Sequence, residues 1–273
     1  MELRTTSAEE INFKDKFDLN KKVIVITGGM GLIGKSFAEA CAQYGANVVI
    51  ADRDGAGSEQ HADKLSQRFE KEMLGMTIDV GKRDEVEQLK NAAAEKFGRI
   101  DGLVNCHQNK TAKFFARFEE YKDEDWDAVV ETNLKGTYLT CQIIGGYISQ
   151  NGGGSIINMP STYSVVAPNQ NLYKGTSIGC PAAYSASKGG VMALSQYLAT
   201  YWADKGVRVN QITPHGVWNN HEEQFEKNFA NFSPMKRMSY NHEVAGAAVF
   251  LLSDASSYIT GHNLMVDGGW TAW

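Results

Sequence analysis

Short apolar runs alternate with longer amphipathic stretches from one end of this chain to the other, and that alternation narrows the possible folds sharply. The runs are Val23 to Thr27, Val48 to Asp52, Met76 to Val80, Gly102 to Asn105, Ser155 to Met159, Val207 to Thr213 and Asn263 to Val266. Segments so short and so continuously apolar suit strands buried on both faces, as in a parallel sheet. Between them, Ile33 to Tyr44, Arg83 to Phe97, Trp126 to Ile148, Ala183 to Asp204 and His242 to Leu252 have the length and spacing of crossover helices. The expectation is an α/β protein: a doubly wound parallel sheet of about seven strands with helices on both faces. With 273 residues and 42% hydrophobic content, the chain can bury one large core. Residues 1–20 read as an N-terminal appendage and residues 21–273 as a single domain.

Composition excludes several classes of partner. A net charge of -5 provides no basic footprint for nucleic acid or an anionic membrane surface. No uncharged apolar run is long enough to span a bilayer. The four cysteines, Cys41, Cys106, Cys141 and Cys180, show neither metal-ligand spacing nor a C-x-x-C pair, and Met1 to Asn20 is polar, unlike a signal peptide. A reduced, cytoplasmic protein without a metal site is expected.

Thr27-Gly28-Gly29-Met30-Gly31-Leu32-Ile33-Gly34 follows an apolar strand and opens a helix. There glycines let backbone approach a pyrophosphate, and the helix N-terminus offers N–H groups to it. The same glycines would also serve a tight strand-to-helix turn with no ligand. Asp52 ends the second strand at the spacing where a carboxylate accepts from ribose hydroxyls and repels a 2′-phosphate, which favours NAD over NADP; Arg53 beside it could instead serve a phosphate. Asp79 either meets the adenine edge or caps the next helix.

Tyr184 and Lys188 stand at i and i+4 in Ala183-Tyr184-Ser185-Ala186-Ser187-Lys188, so on a helix they share a face. An ammonium there favours the ionised phenol, and a hydroxyl from Ser161 could hold the oxygen that trades the proton. Together with Asp79-Val80, Asn105, Asn133-Leu134-Lys135-Gly136, Pro214 and Val266-Asp267-Gly268-Gly269, these residues resemble the compact, single-domain branch of the short-chain dehydrogenase/reductase family, from about residue 18 to the end. The resemblance implies a Rossmann-type fold and an NAD(P)-dependent oxidoreductase interconverting an alcohol and a carbonyl. Tyr184 would be the general acid/base, Lys188 its tuner and ribose anchor, Ser161 the substrate-orienting hydroxyl, and Asn133 part of a proton relay. Its cofactor-binding set would be Gly28, Met30, Gly31, Leu32, Ile33, Gly34, Asp52, Arg53, Asp79, Val80, Asn105, Tyr184, Lys188, Pro214 and Val217. Substrate would meet Ser161, Tyr163, Tyr173, Tyr184, His215 and Trp218.

The chain departs from the family pattern at several points. Leu32 takes a position that is usually glycine, Asn105-Cys106-His107-Gln108 replaces Asn-Asn-Ala-Gly, Pro160 replaces serine, and Pro214-His215 replaces Pro-Gly. His107 could touch ribose or substrate, or be a satisfied structural histidine. The stretch between Ser161 and Tyr184 exceeds the family's by roughly ten residues, and loops of that size are usually functional lids or disordered. Its Asn169, Gln170, Asn171, Tyr173 and Lys174, with Trp218, Asn219, Asn220 and His221 of a second long segment, suit a hydroxyl-rich ligand. These segments and the ending Trp270-Thr271-Ala272-Trp273 are similar to bacterial surface-glycan and flagellin-modification oxidoreductases, which implies a sugar or amino-sugar derivative. An acyl or other apolar carbonyl substrate is the alternative within the class; an inactive NAD-binding sensor or structural subunit is the alternative outside it. Family resemblance also implies a homotetramer or dimer through the helices bearing Tyr138, Tyr147, Met192, Tyr197 and Trp202, with Trp270 and Trp273 as further contact candidates.

Overall fold

The computed structural model describes residues 11–273. Its strands and helices run β1 (Val23–Thr27), α1 (Leu32–Gln43), β2 (Asn47–Asp52), α2 (Gly55–Phe69), β3 (Met73–Thr77), α3 (Arg83–Phe97) and β4 (Gly102–Asn105). A continuous helical rod follows, made of α4 (Asp123–Val130), α5 (Gly136–Thr140) and α6 (Gly146–Gln150) joined by π-helical turns at Glu131–Lys135 and Cys141–Gly145. Then come β5 (Gly154–Asn158), α7 (Ala182–Tyr201), β6 (Val207–Pro214), α8 (Glu223–Phe232), α9 (Asn241–Leu252) and β7 (Asn263–Val266).

All seven strands pair in parallel in the order β3-β2-β1-β4-β5-β6-β7. Successive side chains of a strand point to opposite faces, and the core divides accordingly. Ile24, Ile26, Val48, Ile50, Val104, Ile157 and Ile212 pack beneath α1, α2 and α9. Val23, Val25, Val49, Leu103, Ile156, Val207 and Val209 pack on the other face, beneath α3, α7 and the helical rod. Chain direction across the sheet reverses between β1 and β4, which opens a crevice at the carboxyl ends of those strands.

The expected sheet is present, with two corrections to the elements. The third strand lies at Met73–Thr77 rather than Met76 to Val80, because the pairing of Val48 with Met73 through Asp52 with Thr77 sets its register. Gly75 in its middle removes the side-chain signal that marks a strand, and a Cβ there would strike the Glu59 backbone of α2. The helices α2 and α8 were not expected. Of the segment read as an appendage, Leu19 is fully buried in the core and Phe17 packs on Phe250, while residues 1–10 lie outside the described residues.

One polar row crosses the sheet inside this apolar frame. Thr27, Asn105, Asn158 and Gln211 are register partners on neighbouring strands, all buried. Asn105 donates to Asn158 Oδ1 at 2.8 Å and Asn158 donates to Ser195 Oγ of α7 at 2.8 Å, which ties the sheet to the helix carrying Tyr184. Removing the central amide takes the oxygen acceptor from the buried Asn105 amide and one donor from Ser195, which keeps only its bond to the Val191 carbonyl. Asn158→Ala is expected to lower unfolding free energy by about 1–3 kcal/mol, read from urea denaturation midpoints at unchanged slope.

Candidate active site

Four segments converge on the crevice: the glycine turn after β1, the loop after β4, the segment after β5 and the N-terminal half of α7. Gly28 has a φ of 68°, and a Cβ there would run into the His107 backbone, so only glycine suits the turn. The first helical residues of α1 have no side-chain cap, leaving their N–H groups free for an anion. Asp52 Oδ2 accepts from the Met30 N–H at 3.0 Å, which brings the carboxylate against the turn.

Two cavities lie along this crevice. In the first, Gly28, Asp52, Arg53, Asp79, Val80 and His107 are neighbours, a fit for an adenosine half. Asp79 also accepts from the Gly81 N–H at 2.9 Å, a local turn; it does not cap α3, whose first residues have no side-chain cap. The second brings together Gly31, Leu32, Ile33, Tyr184, Lys188, Pro214 and Val217, a fit for a nicotinamide half. Met30 and Gly34 belong to the turn itself; Gly34 permits close packing of α1, since a Cβ would strike the Gly28 carbonyl. Asn105 lines neither cavity: its amide is consumed by the sheet's polar row, accepting from Thr27 Oγ1 at 3.1 Å and donating to Asn158.

Ser161 and Tyr184 line a third cavity of about 220 Å³, and Tyr184 is shared with the nicotinamide-side cavity. Asn133, fully buried in the first π-helical turn, donates to Ser187 Oγ at 3.2 Å and accepts from the Asn109 N–H at 2.9 Å. Its carbonyl accepts from Thr137 Oγ1 at 2.8 Å. Widened turns of this kind recur at functional sites.

The electrostatics differ from the sequence expectation. Lys188 is buried and its Nζ donates to the Met159 carbonyl at 2.7 Å, lying 5.8 Å from the centre of the Tyr184 ring. Burial lowers its ammonium to about 8, and burial likewise raises the Tyr184 phenol, with the facing Ser161 hydroxyl pulling the other way. In this state desolvation, rather than the lysine charge, dominates both groups. His107 is structural in its bonding: its ring nitrogens meet Thr27 Oγ1 at 2.7 Å and Thr137 Oγ1 at 3.2 Å. Burial first, then the Lys188 charge, holds it down to about 3, so it is neutral at physiological pH.

The expected substrate set assembles except for one member. Tyr163, Tyr173 and His215 line the third cavity with Ser161 and Tyr184. Trp218 does not; its indole N–H is drawn to Glu226 of α8 at 2.7 Å. Nor do Asn169, Gln170, Asn171, Lys174 or Asn220, because Asn169 accepts from the Asn171 N–H and the segment's short helical turn is pinned by Asn228 of α8 through the Leu172 and Lys174 carbonyls. In their place stand Phe114, Leu172, Ile178, Phe225, Phe229 and Met238, with Lys110 and Gln108 from the loop after β4. Only the i, i+4 pair Phe225 and Phe229 carried a sequence signal for this role. Among the described residues, no group of three or more His, Cys, Asp or Glu is placed to hold a metal, and no helix is long and apolar enough to cross a membrane.

Comparison with known proteins agrees with this geometry. The family described as Enoyl-(Acyl carrier protein) reductase matches residues 31–271. The chain is 36% identical to D-threitol dehydrogenase of Mycolicibacterium smegmatis, covering 97% of this chain and 99% of that one. It is 34% identical to the NAD-dependent glycerol dehydrogenase of Listeria innocua, over 95% and 97% of the two chains. A solved gluconate 5-dehydrogenase from Burkholderia cenocepacia, in complex with NADP and tartrate, superposes with a TM-score of 0.85 at 28% identity, over 95% of this chain and 98% of that one. With a phenol, a hydroxyl and a crevice at the carboxyl ends of the strands, and with these relatives along nearly its whole length, the chain belongs to the short-chain dehydrogenase/reductase family and is an NAD(P)-dependent oxidoreductase acting on CH–OH groups.

Proposed function

We propose that the protein oxidises or reduces a small polyol or sugar derivative with NAD, using Tyr184 as general acid/base. The observation that carries this reading is the position of Tyr184, whose side chain borders the nicotinamide-side cavity and the substrate cavity alike. When bound, nicotinamide accepts or supplies the hydride. In the oxidative direction the Tyr184 oxygen takes the hydroxyl proton, Ser161 orients the reacting oxygen, and Lys188 holds the ribose beside them. Asn133 keeps the loop after β4 and the Ser187 turn of α7 in register.

The cavity supports a small substrate. Its volume of about 220 Å³ is below the roughly 300–1,000 Å³ of clefts that hold drug-sized ligands, which speaks against a long acyl chain despite the phenylalanines in its wall. The phenols of Tyr163 and Tyr173 hydrogen-bond to each other there and can turn to ligand hydroxyls. Named relatives that act on threitol and glycerol point to the same class. Asp52 in the adenosine-side cavity favours NAD, with Arg53 turned toward Asn109 Oδ1 at 3.3 Å. For assembly, Tyr197 and Tyr201 stack on the outer face of α7, 60% and 55% exposed, and Tyr138 is exposed on α5, a surface suited to a homodimer or tetramer in the cytoplasm. Trp202 and Trp270, by contrast, are buried within the chain, and Trp273 is exposed.

Tyr184→Phe is expected to reduce turnover by at least about a hundredfold while binding of reduced cofactor, followed by fluorescence, persists. Near-normal turnover would remove the tyrosine from the chemistry. Asp52→Ala is expected to raise the kcat/KM ratio of NADP to NAD about tenfold or more, since a repelling carboxylate is lost beside Arg53. A third expectation concerns Lys188, whose folded value of about 8 lies below the ordinary 10.5. Between those values the unfolded chain binds more protons, so this residue makes stability rise with pH through that window. In Lys188→Met the pH-dependent rise, measured as the difference from wild type in denaturation free energy, should disappear.

A further inference from the structure

The chain carries 32 Asp and Glu against 27 Lys and Arg, yet the walls of the substrate cavity and of the nicotinamide-side cavity contain no carboxylate. Their ionisable nitrogens are Lys110, Lys188, His215 and His221. Lys188 donates to the Met159 carbonyl and is assigned to the ribose, and burial lowers His215 to about 4, leaving it neutral. Lys110 is different. It lines both cavities, and no ion pair to it is formed among the described residues.

The position of Lys110 is set by its neighbour. Asn109 donates through its backbone to Asn133 Oδ1 at 2.9 Å, donates through its side chain to the Ala128 carbonyl at 3.2 Å, and accepts from Arg53. A long flexible cation is thereby mounted on a fixed stem at the cavity mouth. His221 lines the same two cavities; burial and the Lys110 charge push it toward the neutral form, with the Glu226 carboxylate of α8 pulling the other way. A lysine in a carboxylate-free wall lowers the free energy of an anion entering that space and contributes less to a neutral ligand.

Resting on the reading of a polyol-type substrate, we propose that Lys110 is a specificity-determining residue that recognises an anionic group of the substrate. The preferred substrate is then a polyhydroxy carboxylate, or its phosphate ester counterpart, rather than a neutral polyol. Hydroxyls of the same molecule face Ser161, Tyr163 and Tyr173.

The test is steady-state kinetics of the full chain with threonate against threitol, and with erythritol 4-phosphate against erythritol. Wild type is expected to prefer the charged member of at least one pair, and which pair shows it separates carboxylate from phosphate. Lys110→Met should cut that preference in kcat/KM about tenfold to a hundredfold, the range for one charge-assisted hydrogen bond. Lys110→Arg should retain most of it, and Lys113→Met, an exposed lysine outside the cavity wall, should leave it unchanged. Equal preference in wild type and Lys110→Met overturns the proposal. So does an unchanged preference accompanied by weaker binding of reduced cofactor, which would assign the lysine to the dinucleotide. Absence of turnover with all four compounds in wild type, while cofactor binds, overturns the polyol reading beneath it.

Discussion

The hydrogen bond from the buried Lys188 ammonium to the Met159 carbonyl is the contact on which the active site depends. A cation removed from water retains its place only if a fixed acceptor compensates it, and here the acceptor is the backbone just past the end of β5. The bond therefore joins α7 to the strand end that leads into Ser161. Four residues earlier on the same helical face stands Tyr184, so one interaction positions the phenol, the hydroxyl and the ammonium relative to each other. The sheet's polar row reinforces the joint through Asn158 and Ser195.

Much of this was legible in the sequence because it rests on periodicity and on backbone requirements. Six of the seven strands lie within about a residue of their expected bounds, since each is a continuous apolar run between turn residues. The glycine turn, Tyr184, Lys188 and Ser161 were readable because their order and spacing are fixed by the crevice. What escaped notice did so for identifiable reasons. The helix α2 meets its sheet through Gly55, Ser58, Ala62 and Leu65, a close approach of small residues that leaves little hydrophobic pattern. In α8 only Phe225 and Phe229 are buried, within an otherwise polar stretch.

Side-chain direction was the least legible quantity. The polar loop between Ser161 and Tyr184 suggested a hydrophilic wall, but Asn169 accepts from the loop's own backbone and the Leu172 and Lys174 carbonyls are held by Asn228 of α8, while Leu172 and Ile178 line the cavity. Trp218 was drawn away by a glutamate that sequence distance did not mark as a partner. The charge of Lys188 was expected to govern Tyr184, but burial outweighs it for both groups. In each case a local property was correct and a competing tertiary contact decided the outcome.

Leu172, Phe225, Phe229, Met238 and Trp270 form a small hydrophobic cluster of their own, separate from the two that sandwich the sheet. The apolar wall of the third cavity thus has its own hydrophobic support, drawn from three distant stretches of chain. On the proposed reading, replacements there would reshape what the cavity admits, with His215, which packs on Phe229 and Trp270 and bonds Thr162, as the link to the Ser161 segment. Selectivity and chemistry would then diverge at different rates, constrained at that histidine.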